Sequence, residues 1–147
     1  MDQVEATEIA AWRYEDPYSF YDWTADGDDL ALLLSEEVRL GRFFSALDED
    51  GVLVGFFTLR MEGDDLVIGL GLRPDLTGRG LGRGFVEAGI EFGRRRFDPE
   101  RIRLSVAAFN ERAIRVYEQA GFTHARTFDH ETNGGVHSFV EMTRPVS

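Results

Sequence analysis

A glycine-rich loop, Thr77-Gly78-Arg79-Gly80-Leu81-Gly82-Arg83-Gly84, joins a predicted strand to a predicted helix. Glycine lets the backbone turn sharply and lets a ligand approach the main chain closely. The start of the helix then offers unpaired N–H groups and a partial positive charge. The loop is therefore a candidate site for a phosphate or pyrophosphate, to which Arg79 and Arg83 add charge. The alternative interpretation is a glycine-rich turn without a ligand.

Two common phosphate-binding loops do not match this segment. A P-loop ends in Gly-Lys, and the chain contains no lysine. A dinucleotide-binding fingerprint needs glycines at positions i, i+2 and i+5. Counted from Gly78 the third position is Arg83, and counted from Gly80 it is Phe85. The loop is therefore neither a P-loop nor a dinucleotide-binding fingerprint.

A second group of residues, Asn110, Ala113 and Tyr117, shares one face of a predicted helix. At 3.6 residues per turn, position i+7 returns to within about 20° of the start, and i+3 lies about 60° away. Asn110 can cap the helix or offer its amide to a peptide-like ligand. Ala113 leaves room for a ligand against the helix. Tyr117 has an ordinary pKa of about 10, which suits reprotonation of a leaving thiolate; the alternative is a core tyrosine.

The elements that must position these residues follow from hydrophobic periodicity and turn residues. Helices are predicted over residues 5–12, 28–37, 78–97 and 110–120, the last closed by Gly121. Strands are predicted over residues 42–47, 52–61, 66–72, 101–108, 122–132 and 136–143. Short acidic turns join the first three strands into an antiparallel meander, and Asn133-Gly134-Gly135 closes a C-terminal hairpin. This order predicts an α/β fold with a mixed sheet and helices on its faces.

Composition narrows the classes of function. The chain has 147 residues, which favours one domain over residues 1–147. It has no cysteine, which excludes disulfides and thiolate chemistry. Its net charge of -11 argues against nucleic-acid binding. No apolar run is long enough for a membrane span and no signal peptide is visible, so a cytoplasmic location without membrane attachment is expected.

The acidic, lysine-free surface has two interpretations. One is an ordinary solvated surface from a genome with biased codon use. The other is adaptation to high salt, in which dense carboxylates hold water and their repulsion is screened.

Both chemical motifs, in this order, resemble those of the Gcn5-related N-acetyltransferase (GNAT) family. Residues 70–82, LGLRPDLTGRGLG, resemble the coenzyme-binding strand and pyrophosphate loop of that family. Residues 110–122, NERAIRVYEQAGF, resemble its second coenzyme motif. The likeness extends from about Val52 to Phe128. It implies the family's fold and acetyl transfer from acetyl-coenzyme A to a primary amine, by direct attack in a ternary complex.

The resemblance also implies a role for individual residues. The main chain of residues 70–72 would pair with the pantetheine arm, and the N–H of Leu72 would polarise the acetyl carbonyl. Tyr117 would be the general acid toward the thiolate. A cleft would open where two strands separate, near Leu72 and Ala108. The implied coenzyme-binding residues are Leu70, Gly71, Leu72, Thr77, Gly78, Arg79, Gly80, Leu81, Gly82, Arg83, Asn110, Ala113 and Tyr117.

Two positions depart from the family's pattern. Thr77 stands where arginine or glutamine is usual, although its hydroxyl can still reach a phosphate. Leu66 stands where several members carry a glutamate base, and the adjacent Asp65 should face the other way because side chains alternate along a strand. The sequence therefore does not identify the base that deprotonates the amine. Two alternatives are a relay through water and a substrate amine that is already neutral. The same gap motivates an alternative function, a non-catalytic acyl-CoA-binding sensor.

The acceptor side is predicted from an aromatic segment, residues 12–23, which holds six aromatic side chains. In the family that the chain resembles, N-terminal helices wall the acceptor pocket, and aromatic faces with carboxylates suit a cationic amine. The predicted pocket residues are Tyr14, Tyr18, Tyr21 and Asp22. The competing interpretation is that most of these aromatics pack the helices onto the sheet.

The acceptor itself is not identified by sequence: small-molecule and peptide amines both fit, as do a monomer and a homodimer. The three histidines, His124, His130 and His137, lack metal-ligand spacing, so no metal is expected.

Overall fold

A six-stranded mixed sheet forms the centre of the fold in the computed structural model, which describes residues 1–146. The strands are β1 (Phe43–Leu47), β2 (Leu53–Glu62), β3 (Asp65–Leu72), β4 (Arg101–Ala107), β5 (Thr123–Thr132) and β6 (Gly135–Pro145). Their order in the sheet is β1-β2-β3-β4-β6-β5. All neighbours are antiparallel except β3 and β4, which run parallel and are joined through a helix. The predicted meander and C-terminal hairpin are confirmed.

Five α-helices accompany the sheet in residues 1–146: α1 (Gln3–Ala10), α2 (Gly27–Leu34), α3 (Glu36–Arg39), α4 (Gly82–Phe97) and α5 (Glu111–Gln119). Short 3-10 turns cover Tyr18–Tyr21, Trp23–Ala25 and Pro74–Leu76. None of the helices in the described residues combines the length and apolarity needed to cross a bilayer.

The two faces of the sheet carry separate apolar clusters because side chains alternate along each strand. Phe57 and Leu59 of β2 pack with Val86 and Ile90 of α4 in the larger cluster. On the opposite face, Phe56 packs with the N-terminal helices and the aromatic segment in the smaller cluster. The sheet thus separates α4, the helix that follows the glycine loop, from the N-terminal segment. Both reach the same end of β3 and β4.

Two predicted helices have different bounds in the structure. The helix predicted over residues 28–37 is two helices, because Ser35 is extended and caps α3 by accepting the N–H of Val38. The helix predicted from residue 78 begins only at Gly82. Gly78 and Gly80 have φ angles of 72° and 77°, which a right-handed helix cannot contain. The first helix also lies earlier than predicted, at Gln3–Ala10 instead of residues 5–12.

Candidate active site

The site lies where β3 and β4 separate. The two strands pair only from Asp65 to Val67 on β3 and from Arg101 to Arg103 on β4. Beyond these residues β4 continues to pair with β6 on its other side, and β3 with β2. A gap therefore opens between the carboxyl ends of the two parallel strands, where ligands bind in many open sheets.

Main-chain groups of β3 point into this gap. Residues of an antiparallel ladder pair alternately, and the N–H of Arg73 donates to the carbonyl of Val54 at 2.8 Å. Leu72 and Leu70 therefore direct their N–H and C=O groups away from β2, into the gap. Gly71 faces β2, opposite Phe56. Of the three predicted residues, Leu70 and Leu72 can pair with a ligand through the main chain, whereas Gly71 cannot.

The glycine loop leaves its main chain unpaired. Within residues 1–146, the N–H groups from Gly78 to Gly84 donate no hydrogen bond. Helix α4 starts without a side-chain cap, so its positive end is free to meet an anion. Thr77 is different from the other loop residues, because its hydroxyl donates to the carbonyl of Pro74 at 2.8 Å. The row of free donors suits a pyrophosphate, and the Thr77 hydroxyl is not one of those donors.

A groove of about 360 Å³ runs from this loop to α5. Leu70, Leu72, Thr77, Gly78, Gly80, Gly82, Arg83, Asn110, Ala113 and Tyr117 are the predicted coenzyme residues that line it. Arg79 and Leu81 are exposed and lie outside the lining. Free N–H groups at one end and the open edge of β3 at the other fit the pyrophosphate and the pantetheine arm of coenzyme A.

Asn110 holds the start of α5. Its Oδ1 accepts the N–H of Ala113 at 3.1 Å, so the amide oxygen caps the helix. Its Nδ2 donates to the hydroxyl of Tyr21 at 3.2 Å. One amide hydrogen remains for a ligand in the groove.

Tyr117 stands where the groove meets a second cavity. It lines both, together with Leu70, Thr77, Asn110, Arg112 and Ala113. Its ring packs edge-on against Phe122 with centroids 6.0 Å apart. Burial raises the pKa of Tyr117 above its ordinary value of 10.0, and the nearby Tyr21 raises it further. The side chain therefore carries its proton at neutral pH and can donate it at the junction.

The second cavity, of about 400 Å³, is walled by the aromatic segment. All four predicted pocket residues line it: Tyr14, Tyr18, Tyr21 and Asp22. The aromatic side chains of this segment have two roles: some line the cavity, and others pack in the smaller apolar cluster. Trp12 and Trp23 pack with Phe56 in the smaller apolar cluster, as the competing interpretation expected, although Trp23 also borders the cavity.

Two tyrosine hydroxyls attach this wall to the two separated strands. Tyr14 donates to the carbonyl of Leu72 at 2.7 Å, and Tyr21 accepts the N–H of Ala107 at 3.2 Å. Burial raises the pKa of both tyrosines. Asp22 supports the arrangement by accepting the N–H of Tyr14 at 2.8 Å.

A carboxylate that was not predicted also borders the cavity. Asp29 lies in the first turn of α2, and its pKa is raised by burial and by the charge of Asp26. Asp26 itself accepts the N–H of Asp29 and the N–H of Asn133 in the C-terminal hairpin. This contact brings His130 and Thr132 of β5 to the cavity wall. No periodicity in the sequence connects α2 with the hairpin, so only the folded chain shows that they meet.

Arg112 is a second residue that the sequence prediction missed. It borders both cavities, and its guanidinium lies 4.1 Å from the centroid of the Tyr18 ring. A Cβ added to Gly78 would lie 3.4 Å from its Nη1, which places the charge beside the glycine loop. The sequence offered one indication of this role: Arg112 lies inside the motif at residues 110–122 and is the first cationic residue after the cap residue.

No carboxylate of β3 faces the gap between the strands. Leu66 is fully buried in the larger cluster, and the carboxylate of Asp65 pairs with Arg101 at 2.8 Å. Within residues 1–146, no group of three or more His, Cys, Asp or Glu side chains is arranged to hold a metal. His124 bonds Thr127, and His137 packs against Phe20.

Solved structures with the same fold include spermidine N-acetyltransferases. The spermidine N-acetyltransferase from Vibrio cholerae in complex with CoA and spermine superposes with a TM-score of 0.77 at 18% identity, covering 99% of this chain and 92% of the other. A chimera of that enzyme gives a TM-score of 0.80 at 19% identity, with the same coverage. The predicted fold class is confirmed; at these identities the likeness extends to the fold alone.

The sequence itself defines the family. The profile described as "Acetyltransferase (GNAT) family" matches residues 4–122, so the chain belongs to the GNAT acetyltransferase family. The predicted family is confirmed.

Curated relatives match only part of this chain. The mycothiol acetyltransferase of Propionibacterium freudenreichii is 40% identical over 87 residues, which are 56% of this chain and 28% of the relative. That of Streptomyces coelicolor is 37% identical over 86 residues, 56% and 27% respectively. The chain thus spans less than a third of the length of these relatives.

Proposed function

We propose that the chain transfers the acetyl group of acetyl-CoA to the primary amine of a small molecule, by direct attack in a ternary complex. One observation carries this proposal. The groove between the glycine loop and α5, which we call the coenzyme groove, shares a wall with the second cavity, which we call the acceptor cavity, and Tyr117 lies in that wall. Two substrates that enter from opposite sides would bring thioester and amine together beside this hydroxyl. Such an arrangement favours reaction by proximity.

On the coenzyme side, the main chain supplies most of the contacts. The N–H groups from Gly78 to Gly84 and the side chain of Arg83 would hold the pyrophosphate. Leu70 and Leu72 would pair with the pantetheine arm as a neighbouring strand does. Because Tyr14 occupies the carbonyl of Leu72, the N–H of Leu72 is the group left to meet the acyl oxygen.

The chemistry needs one bond made and one broken. The amine nitrogen attacks the acyl carbon, a C–N bond forms and the C–S bond breaks. The N–H of Leu72 would stabilise negative charge on the acyl oxygen, and Tyr117 would give a proton to the departing sulfur. For an amine in its neutral form, one proton leaves the nitrogen and one arrives on the sulfur, so the protons balance. An amine that arrives as an ammonium must first lose one further proton, which goes to water.

Amine deprotonation does not involve a carboxylate of β3 in this proposal. Leu66 lies in the core and Asp65 is paired with Arg101, so neither faces the nitrogen. The hydroxyl of Tyr14 donates to a carbonyl and that of Tyr21 accepts two bonds, which leaves neither free as a base. The remaining routes are a water relay and an amine that binds in its neutral form.

The walls of the second cavity favour a positively charged small amine. Aromatic faces and the carboxylates of Asp22 and Asp29 attract cations. The similar structures include an enzyme titled for spermidine, and the similar sequences are titled for mycothiol. Both titles name small molecules, which supports a substrate of this size over a folded protein.

Binding and turnover test the proposal separately. Calorimetry should show that the purified protein binds acetyl-CoA, and a thiol-release assay with a panel of amines should show turnover. Absence of acetyl-CoA binding would overturn the proposal as a whole. Binding without turnover on any amine of the panel would favour the alternative of a non-catalytic acyl-CoA sensor.

A further inference from the structure

In the described residues, Tyr21 of the aromatic segment hydrogen-bonds both to the end of β4 and to the cap residue of α5. Its hydroxyl accepts the main-chain N–H of Ala107 and the side-chain Nδ2 of Asn110, both at 3.2 Å. A phenol oxygen has two lone pairs, so both are occupied. Its own hydrogen is left to donate, and Tyr21 enters the cavity as a donor only.

The three residues form a closed ring of hydrogen bonds. The N–H of Asn110 donates to the carbonyl of Ala107 at 2.9 Å, and both residues donate to Tyr21. Ala107 is the last residue of β4, and its N–H points into the gap because its neighbour Ala108 pairs with Ser138 of β6. The ring therefore fixes the turn between β4 and α5, from which the coenzyme groove begins.

The orientation of the Asn110 amide depends on this ring. Its Oδ1 is held by the N–H of Ala113 and its Nδ2 by Tyr21, so the two ends cannot exchange without the loss of both bonds. Asn110 is 9% exposed, which makes an unpaired amide end costly. Without the hydroxyl of Tyr21, the cap bond alone would orient the amide.

We propose that Tyr21 is a positioning residue for the coenzyme: its hydroxyl sets the Asn110 amide toward the coenzyme groove and links that groove to the acceptor wall. The inference rests on the proposed function, because the groove is taken to bind coenzyme A. It assigns to one side chain a contact with both halves of the site. Tyr14, which bonds only the Leu72 carbonyl, has no such link to α5.

A double-mutant cycle on acetyl-CoA affinity tests this role. The variants are Tyr21→Phe, Asn110→Ser and both together; serine keeps a helix cap but lacks the amide that reaches Tyr21. We expect Tyr21→Phe to raise the calorimetric Kd for acetyl-CoA about tenfold, the size of one hydrogen bond. In the Asn110→Ser background, the same change should raise the Kd by less than about twofold.

A matched control separates positioning from packing. The ring of Phe109 packs on Tyr21 with centroids 6.0 Å apart, and Phe109→Leu removes that contact without touching the hydrogen-bonded ring. We expect this variant to lower the melting temperature and to leave the Kd within about twofold. Equal Kd values for wild type and Tyr21→Phe, or equal effects in both backgrounds, would overturn the role of Tyr21 alone. A wild-type protein that does not bind acetyl-CoA would overturn the proposed function instead.

Discussion

The coenzyme groove and the acceptor cavity share a wall but are built in different ways. The groove uses main-chain N–H groups of one loop and one strand edge, and its lining comes from two contiguous segments, residues 70–86 and 110–119. The cavity uses side chains from the N-terminal segment, α2, the strands and the C-terminal hairpin. A site made of main chain tolerates many side-chain changes, whereas a site made of side chains from distant segments changes with each of them.

This difference explains why the sequence predicts the proposed coenzyme more specifically than it predicts the acceptor. A glycine loop at a helix start can hold a phosphate whatever protein it occurs in, because the donors belong to the backbone. An acceptor wall has no such general form. In this chain, Asp26 joins α2 to the hairpin by accepting the N–H groups of Asp29 and Asn133, and so brings Asp29 and the hairpin to the same wall.

The largest effect is expected at the shared wall, which belongs to both regions. Tyr117→Phe removes the proton donor for the sulfur and should lower kcat by about 100-fold, as general-acid removal commonly does. The Kd for acetyl-CoA should stay within about twofold, because the ring remains. Thiol release measures the first and calorimetry the second. A kcat equal to that of the wild type would exclude Tyr117 as the acid.

A glycine substitution tests whether the groove depends on the main chain. Gly80 has a φ of 77° and open space around its Cβ position, so Gly80→Ala should strain the loop by about 1–2 kcal/mol and weaken acetyl-CoA binding about tenfold. Gly63, with a φ of 60° in the turn between β2 and β3, is the matched control. Gly63→Ala should lower the melting temperature similarly and leave the Kd unchanged. Equal Kd values for both variants would contradict a main-chain site.

A smaller effect is expected from one carboxylate of the cavity. Asp29→Asn should raise the KM for a cationic amine about threefold and leave the KM for acetyl-CoA unchanged, because partly exposed charge pairs contribute little. Asp28→Asn makes the same change in the same turn of α2, at a residue outside the cavity lining. The comparison fails if the two variants have the same acceptor KM.

The smallest effect concerns stability in alkali. The pKa values of Tyr14, Tyr21 and Tyr117 are raised in the folded protein, first by burial. Above pH 10 the unfolded chain loses these protons while the folded protein keeps them, so stability should fall as the pH rises past 10. Tyr14→Phe should reduce that fall by a few degrees in melting temperature between pH 9 and 11. Parallel curves for wild type and variant would show that Tyr14 titrates normally.

Sequence patterns predicted most of the fold because they are local. Alternation identified β4, and flanking turn residues identified β2. Gly121, with a φ of 93°, ends α5 as a glycine after a helix should. The start of α4 was wrong by four residues, because helical spacing extends through glycines whose positive φ angles exclude a helix. The break at Ser35 was missed for a related reason: serine favours a cap as much as a helix interior.

For the site, the sequence by itself determined the family and located the two motifs that we propose bind the coenzyme, since these depend on backbone geometry encoded within short segments. Only the tertiary structure decided how the motifs meet the acceptor side. It placed the hydroxyl of Tyr21 on Asn110, 89 residues away, and brought Asp29 and His130 to one wall. Such contacts join segments whose spacing follows no period, so they arise only when the sheet has formed and β3 and β4 have separated.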